Sequence, residues 1–235
     1  MKQLWTFFAS SLGRKYLMSV TGCALSLFAL VHMVGNLQIF LGKETINAYG
    51  YHLHTLPWPI FWGFRLGLAT CALVHIVVAA WLTTENLLAR PKGYRVKKAV
   101  EASWASRTMP LTGALLLAFI VFHLANFTLG ITPEPYDITL PRVTMEINDK
   151  IVKVFDVYAM MISSFSIPWL SVSYIIAMGL LCFHLAHGIG SMFQSVGLRN
   201  HKWRFILDKA GAAYGWFLFI GFAIIPVAVL TGFLK

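Results

Sequence analysis

The chain has 235 residues, of which 58% are hydrophobic and only 12% are charged, and its mean hydropathy is +0.70. A soluble domain of this length needs far more charged surface, so the composition excludes an ordinary soluble fold and indicates an integral membrane protein. The 19 Lys and Arg residues outnumber the 9 Asp and Glu residues. In a membrane protein such an excess indicates topology rather than nucleic-acid binding.

Five apolar segments reach the roughly 20 residues that a membrane-spanning helix needs. In chain order they cover about residues 16–41, 60–83, 108–130, 167–195 and 210–234. The sequence therefore predicts an all-α integral membrane protein with five transmembrane helices in a single membrane domain, residues 1–235. The longest connection is an outer loop, residues 131–166, in which residues 143–147 are strand-like and a helix is predicted from Lys150.

The basic residues are distributed unevenly between the two sides of the predicted bundle. The N-terminal segment and the loops after the second and fourth helices hold 13 of the 19 basic residues and only three acids. The positive-inside rule places these three segments in the cytoplasm. The N-terminus is therefore predicted to be cytoplasmic and the C-terminus to lie outside.

Each of the first four predicted helices contains one centrally placed histidine, namely His32, His75, His123 and His184. A polar ring in hydrocarbon is costly unless something binds it, so an intramembrane histidine indicates a functional site. Four of them, one per helix, predict two pairs of axial ligands for two haems. The three cysteines form no CxxCH attachment motif, so the haems are expected to be bound non-covalently.

The depth of each histidine in the membrane indicates how the four pair. His32 lies 17 residues after the inner basic pair on a rising helix, about 25 Å from the inner side. His75 lies ten residues before Glu85 on a descending helix, in the inner half. The same reasoning places His123 in the outer half and His184 in the inner half. The outer pair is therefore His32 with His123, the inner pair is His75 with His184, and a four-helix core holds both, with the fifth helix added to it.

The remaining histidines are weaker candidates. His187 lies three residues after His184 on the same helix face, so spacing alone leaves it as an alternative ligand. His52 and His54 fall in the first outer loop and His201 in an inner loop, where solvated side chains are expected. A diiron oxygenase would need clustered HxxxH and HxxHH repeats, which this sequence lacks.

A quinone-binding side is less clearly marked. Arg65 is the one strong base inside a predicted span. It is expected to bind a haem propionate or a quinone carbonyl, or else to extend to the outer interface. Tyr49 and His54, with His52 and Glu44, are outer-loop candidates for transferring protons to quinone.

Four short motifs resemble one family. They are residues 30–36 (LVHMVGN), 46–47 (IN) followed by 56–57 (LP), 183–188 (FHLAHG) and 191–197 (SMFQSVG). Together they are similar to the five-helix, di-haem cytochrome b subunit that anchors bacterial succinate dehydrogenases and fumarate reductases. The resemblance covers nearly the whole chain, although the long outer segment before the fourth helix departs from the shortest members.

The resemblance implies a ligand set, partners and a location. By the family motif the fourth ligand is His184 rather than His187, and the cofactors are two haem b groups. The partners are a flavoprotein subunit with FAD and an iron–sulfur subunit on the cytoplasmic face of the bacterial cell membrane. The chain would act as a non-catalytic subunit that passes electrons between them and a membrane quinone such as menaquinone.

Two other functions fit parts of this pattern. A cytochrome b subunit of another quinone-linked enzyme, such as a formate dehydrogenase or a hydrogenase, would share the helical ligands but not the FHLAHG and SMFQSVG motifs. A haem-free transporter would use intramembrane histidines as a proton relay. A reduced-minus-oxidised optical spectrum separates the transporter from the cytochromes.

Overall fold

The structure is a computed structural model that describes residues 2–89, 104–131 and 142–235. Among these residues, five helices are long and apolar enough to cross a membrane, which confirms the predicted number and approximate position of the spans. They cover Ser11–Leu41, Trp58–Leu88, Arg107–Thr128, Pro168–Ser195 and Arg204–Leu230. A helix suits such apolar runs because it pairs its backbone polar groups internally where no water is present.

The described helices and strands follow one another along the chain in this order. The N-terminal part contains α1 (Lys2–Ala9), α2 (Ser11–Leu37), a 3₁₀ turn (Gln38–Leu41), α3 (Lys43–His54) and α4 (Trp58–Leu88). The C-terminal part contains α5 (Trp104–His123), a π-helical turn (Leu124–Thr128), β1 (Arg142–Ile147), β2 (Lys150–Phe155), α6 (Val157–Phe165), α7 (Pro168–Ser195) and α8 (Arg204–Leu230). The hydroxyl of Ser10 caps α2 by accepting a hydrogen bond from the Gly13 amide at 3.1 Å.

The outer connections contain more regular structure than the sequence predicted. The first outer loop forms the helix α3, and the strand predicted at residues 143–147 is confirmed as β1. The helix predicted from Lys150 is wrong, because β2 begins at Lys150 and pairs antiparallel with β1. Asn148 and Asp149, with φ of 51° and 59°, form the two-residue turn that reverses the chain. The predicted all-α fold is thus a mainly helical one with an added β-hairpin.

The chain divides into two compact units, and each draws residues from all five long helices. Unit 1 consists of Met1–Phe28, Arg65–Ala114 and Cys182–Trp216. Unit 2 consists of Ala29–Phe64, Leu115–Leu181 and Phe217–Lys235.

In unit 1, an ion pair joins the first turn of α2 to the last turn of α4. Two hydrogen bonds of 2.6 and 2.8 Å run from the Arg14 guanidinium to the Glu85 carboxylate. The guanidinium also lies 4.6 Å from the centre of the Trp81 ring. The pair joins two residues that the charge pattern assigned to the same side of the bundle.

In unit 2, a polar cluster joins α3 to the start of α6. The Asp156 carboxylate accepts hydrogen bonds from the Asn47 amide and from the Ala159 backbone N–H, both at 3.0 Å, and pairs with Lys43 at 2.7 Å. Asn47 in turn accepts from the Tyr158 backbone N–H at 3.0 Å. Burial raises the pKa of Asp156, but the hydrogen bonds and the charge of Lys43 outweigh it and hold that pKa below its ordinary value.

We expect Asp156→Ala to destabilise the protein by about 1–3 kcal/mol, because it removes a helix cap and leaves buried polar partners unpaired. Asp156→Asn keeps acceptor oxygen and should cost less. The folded-state pKa lies below the unfolded one, so the carboxylate stabilises the fold above about pH 4 and ceases to do so as the pH falls further. Thermal unfolding in detergent between pH 3 and pH 7 measures both effects. Equal destabilisation by the two variants would contradict a cluster held mainly by hydrogen bonds.

Candidate functional site

The structure brings the inner pair together within unit 1. His75 on α4 and His184 on α7 are both half-buried, and the two imidazoles lie close enough to interact electrostatically. Each ring faces a glycine of another helix. A Cβ on Gly22 would lie 3.1 Å from Cε1 of His75, and one on Gly113 would lie 3.5 Å from Cε1 of His184. The missing side chain at Gly22 therefore provides the space that the His75 ring occupies.

The hydrogen bonds of Thr21 indicate which nitrogen of His75 carries the proton. The Thr21 hydroxyl donates to the Leu17 carbonyl at 2.6 Å and lies 3.1 Å from Nδ1 of His75. Because its single proton is used by the carbonyl, the hydroxyl oxygen acts as an acceptor toward Nδ1. His75 therefore carries its proton on Nδ1 and has an unprotonated Nε2, which is the form that binds a metal.

Thr112 makes the same arrangement at His184. Its hydroxyl donates to the Met109 carbonyl at 3.1 Å and lies 3.3 Å from Nδ1 of His184. Thr112 is buried. By the same reasoning, His184 donates from Nδ1 and has an unprotonated Nε2.

His187, the alternative to His184, has different surroundings. Its Nε2 lies 2.9 Å from the Ser191 hydroxyl. Its ring interacts electrostatically with Arg199 and Asp208, which form an ion pair of 2.7 Å. The nitrogen that would bind a metal is therefore hydrogen-bonded within its own helix.

The outer pair meets within unit 2. The ring centres of His32 on α2 and His123 on α5 are 5.9 Å apart, and the ring planes cross at 83°. Two imidazoles that bind one metal ion from opposite sides, with metal–nitrogen bonds of about 2 Å as in zinc sites, have ring centres about 6 Å apart. This separation would allow the two rings to hold one metal ion between them.

Two residues that the sequence pattern did not indicate form a hydrogen-bonded chain next to His123. The Tyr174 hydroxyl is 3.3 Å from Nδ1 of His123 and 3.3 Å from the side-chain nitrogen of Asn126. Asn126 is buried and belongs to the π-helical turn that follows His123 directly. An amide three residues after a span histidine was the available sequence signal, and π-helical turns are frequent at functional sites.

The candidate residues for the quinone side have different surroundings. The Tyr49 hydroxyl lies against Gly35, where a Cβ would approach it to 2.6 Å, one helical turn after His32. His54 lines a pocket of about 220 Å³ with Arg142 and Lys153. The side chain of Arg65 is exposed on α4.

His52 and Glu44, the other outer candidates, are exposed on α3. Of the five quinone-side candidates, the structure therefore places Tyr49 beside the helical turn that carries a candidate metal ligand.

Comparisons with protein-family models, curated proteins and solved structures give no match. Within the described ranges 2–89, 104–131 and 142–235, His, Cys, Asp and Glu side chains form no group of three or more suited to a metal ion. The candidate ligands there occur as the two histidine pairs.

We expect Gly22→Val to displace the His75 ring, because even a Cβ at this position would be 3.1 Å from it. The expected result is a loss of metal or haem binding at the inner pair with binding at the outer pair retained. The haem content of the purified protein measures this. Gly179→Ala is the control, because its Cβ would meet only the Phe219 ring, at an ordinary 3.9 Å. Full haem content in Gly22→Val would show that the close approach of His75 to α2 is not needed.

Proposed function

We propose that the chain is the di-haem cytochrome b anchor of a succinate:quinone oxidoreductase. In this role it passes electrons between flavin and iron–sulfur subunits on the cytoplasmic face and menaquinone in the membrane. The observation that carries the proposal is the convergence of four span histidines into two pairs, one in each compact unit. The family resemblance of the histidine motifs supports the same function.

The residues present fit two haem groups. Imidazole nitrogens are common axial ligands of haem iron, and each pair supplies two of them from facing helices. Bound haem would supply a one-electron carrier with no open coordination position, which suits electron transfer rather than oxygen chemistry. The threonines behind His75 and His184 orient the rings and set their tautomers, as partners of metal-bound histidines do.

The surrounding spans contribute exclusion of water and a low dielectric. Burial and hydrogen bonding around axial ligands are the protein's means of adjusting a haem potential. The hydrogen-bond partners of the inner pair are two neutral hydroxyls, namely those of Thr21 and Thr112.

In this proposal, the soluble subunits dock on the basic inner segments. The part of this surface that the structure describes includes an open pocket of about 650 Å³, lined by His201, Arg204, Phe205, Asp208, Lys209 and Ala212. Its basic side chains suit an acidic partner surface. The loop after the second span, which carries further basic residues, lies mostly outside the described residues.

The test of the proposal is haem content in the purified, detergent-solubilised protein. We expect two b-type haems per chain in the reduced-minus-oxidised spectrum. His32→Ala and His123→Ala should each lose one haem, and His75→Ala and His184→Ala should each lose the other. His187→Ala is the matched control and should keep both, because its Nε2 is bonded to Ser191. Absence of any b-type signal in the unaltered protein would contradict the proposal.

We expect Arg65→Ala to keep both haems and to lower succinate-driven reduction of a menaquinone analogue by the whole complex. The expected loss is about tenfold or more, because a hydrogen bond from a charged donor contributes about 1.5–3 kcal/mol. Lys150→Ala, an exposed base on the hairpin, is the control and should retain activity. Unchanged activity in Arg65→Ala with both haems present would remove Arg65 from the quinone site.

A further inference from the structure

The Tyr174 hydroxyl lies beside Nδ1 of His123, and the Asn126 amide lies beside that hydroxyl. We propose that Tyr174 and Asn126 are positioning residues that form a hydrogen-bond relay, a chain of hydrogen bonds with one direction. Nδ1–H of His123 donates to Tyr174, and the Tyr174 hydroxyl donates to the amide oxygen of Asn126. The relay keeps Nε2 of His123 unprotonated and available to iron. This inference rests on the proposed haem ligation of the outer pair.

The contacts define a short polar chain in an apolar setting. The Tyr174 hydroxyl is 3.3 Å from Nδ1 of His123 and 3.3 Å from the Asn126 amide nitrogen. Asn126 is 2% exposed and Tyr174 is 7% exposed. The ring centres of Phe119, Phe127 and Phe165 lie 4.9–5.7 Å from that of Tyr174. Water has little access to these groups, so they must satisfy one another.

If the Tyr174 hydroxyl donates its single proton to one of its two polar neighbours, two arrangements are possible. In the first, Asn126 donates to Tyr174, and Tyr174 donates to Nδ1 of His123. The only proton of a neutral His123 ring then lies on Nε2. In the second, every direction is reversed, so His123 donates from Nδ1 and Asn126 accepts through its oxygen after its amide rotates by 180° about χ2.

Iron ligation through Nε2 is compatible only with the second arrangement, because a protonated Nε2 has no lone pair for the metal. The first arrangement leaves the amide oxygen of Asn126 with no hydrogen-bond partner among the described residues, and the second leaves the amide nitrogen in that place, so the ligand at Nε2 decides between them. The two ends of an amide are interchangeable in shape, so the direction of the network decides which end faces Tyr174. Binding of iron to His123 would therefore select the orientation in which this oxygen accepts from Tyr174.

The inner pair shows why Asn126 is needed. Thr21 and Thr112 give their protons to carbonyls of their own helices, Leu17 and Met109, and so become acceptors without further help. A tyrosine hydroxyl stands at the end of a long ring, away from its own backbone, and needs an acceptor from elsewhere. Asn126, held in the π-helical turn, supplies an amide at that point.

The test compares the potential and the content of each haem in the purified complex. Tyr174→Phe removes the acceptor of the Nδ1 proton, makes His123 a less basic ligand and should raise the potential of the outer haem while leaving the inner haem unchanged. Thr112→Val is the matched variant and should raise the inner potential alone. The His123→Ala protein, with only the inner haem, assigns the two signals.

Two substitutions at Asn126 test the direction of the relay. Asn126→Asp retains an acceptor oxygen whether or not it is ionised, and should keep the outer haem. Asn126→Leu removes the acceptor, directs the tyrosine proton to Nδ1 and should weaken outer haem binding about 10–100-fold. The inner haem reports in each variant that the protein is folded.

The outcomes separate this inference from the proposed function. Two haems in the unaltered protein, with an outer potential that does not change in Tyr174→Phe, would overturn the relay alone. Equal loss of the outer haem in Asn126→Asp and Asn126→Leu would overturn the stated direction. Absence of haem from the unaltered protein would overturn the proposed function and the relay with it.

Discussion

The hydrocarbon interior offers no water, so every polar group inside a span must find its partner in the protein. This constraint determines both the backbone and the candidate site. It makes long helices the form of the five spans, and it brings a neighbouring hydroxyl to three of the four span histidines. Thr21, Thr112 and Tyr174 are those neighbours, and each contacts Nδ1 of a different histidine.

The same contacts fix the orientation of these imidazole rings. Once Nδ1 is engaged behind the ring, Nε2 remains for a ligand in front of it, and the ring is held from rotating. Close approach of the helices completes the arrangement, because the ring of His75 occupies the space beside Gly22. In the proposed function, packing and hydrogen bonding of the protein alone would preorganise these rings for a metal, which would lower the ordering cost of binding.

The sequence was sufficient for the features that follow from local composition. Apolar length predicted five spans, and the strand at residues 143–147 was visible from its residue types. The second strand does not follow from the residue types at Lys150 and beyond, because it depends on the Asn148-Asp149 turn, whose two positive φ angles reverse the chain. The helix α3 was not predicted, because the burial of its residues Ile46 and Asn47 depends on tertiary packing against α6.

The hydrogen-bond partners of the histidines could not be predicted from local sequence patterns for a similar reason. Tyr174 is 51 residues from His123, and Thr112 is 72 residues from His184. A threonine or tyrosine in an apolar span has no feature that distinguishes a partner of histidine from an ordinary packing residue. Only the tertiary arrangement of helices makes that distinction.

Charge is used differently from these neutral contacts. The Arg14–Glu85 pair lies at helix ends, and the Lys43–Asp156 pair lies outside the spans. Taking an ion into a low-dielectric interior costs several kcal/mol, so charged pairs are best tolerated where water can still reach one partner, as it reaches Glu85 and Lys43. His75, His123 and His184, placed deeper along their helices, have hydroxyl partners, which carry no charge to desolvate. A fixed charge beside an axial ligand would also displace the potential of a bound iron, so neutral partners let the protein hold the ring firmly while altering its basicity only in small steps.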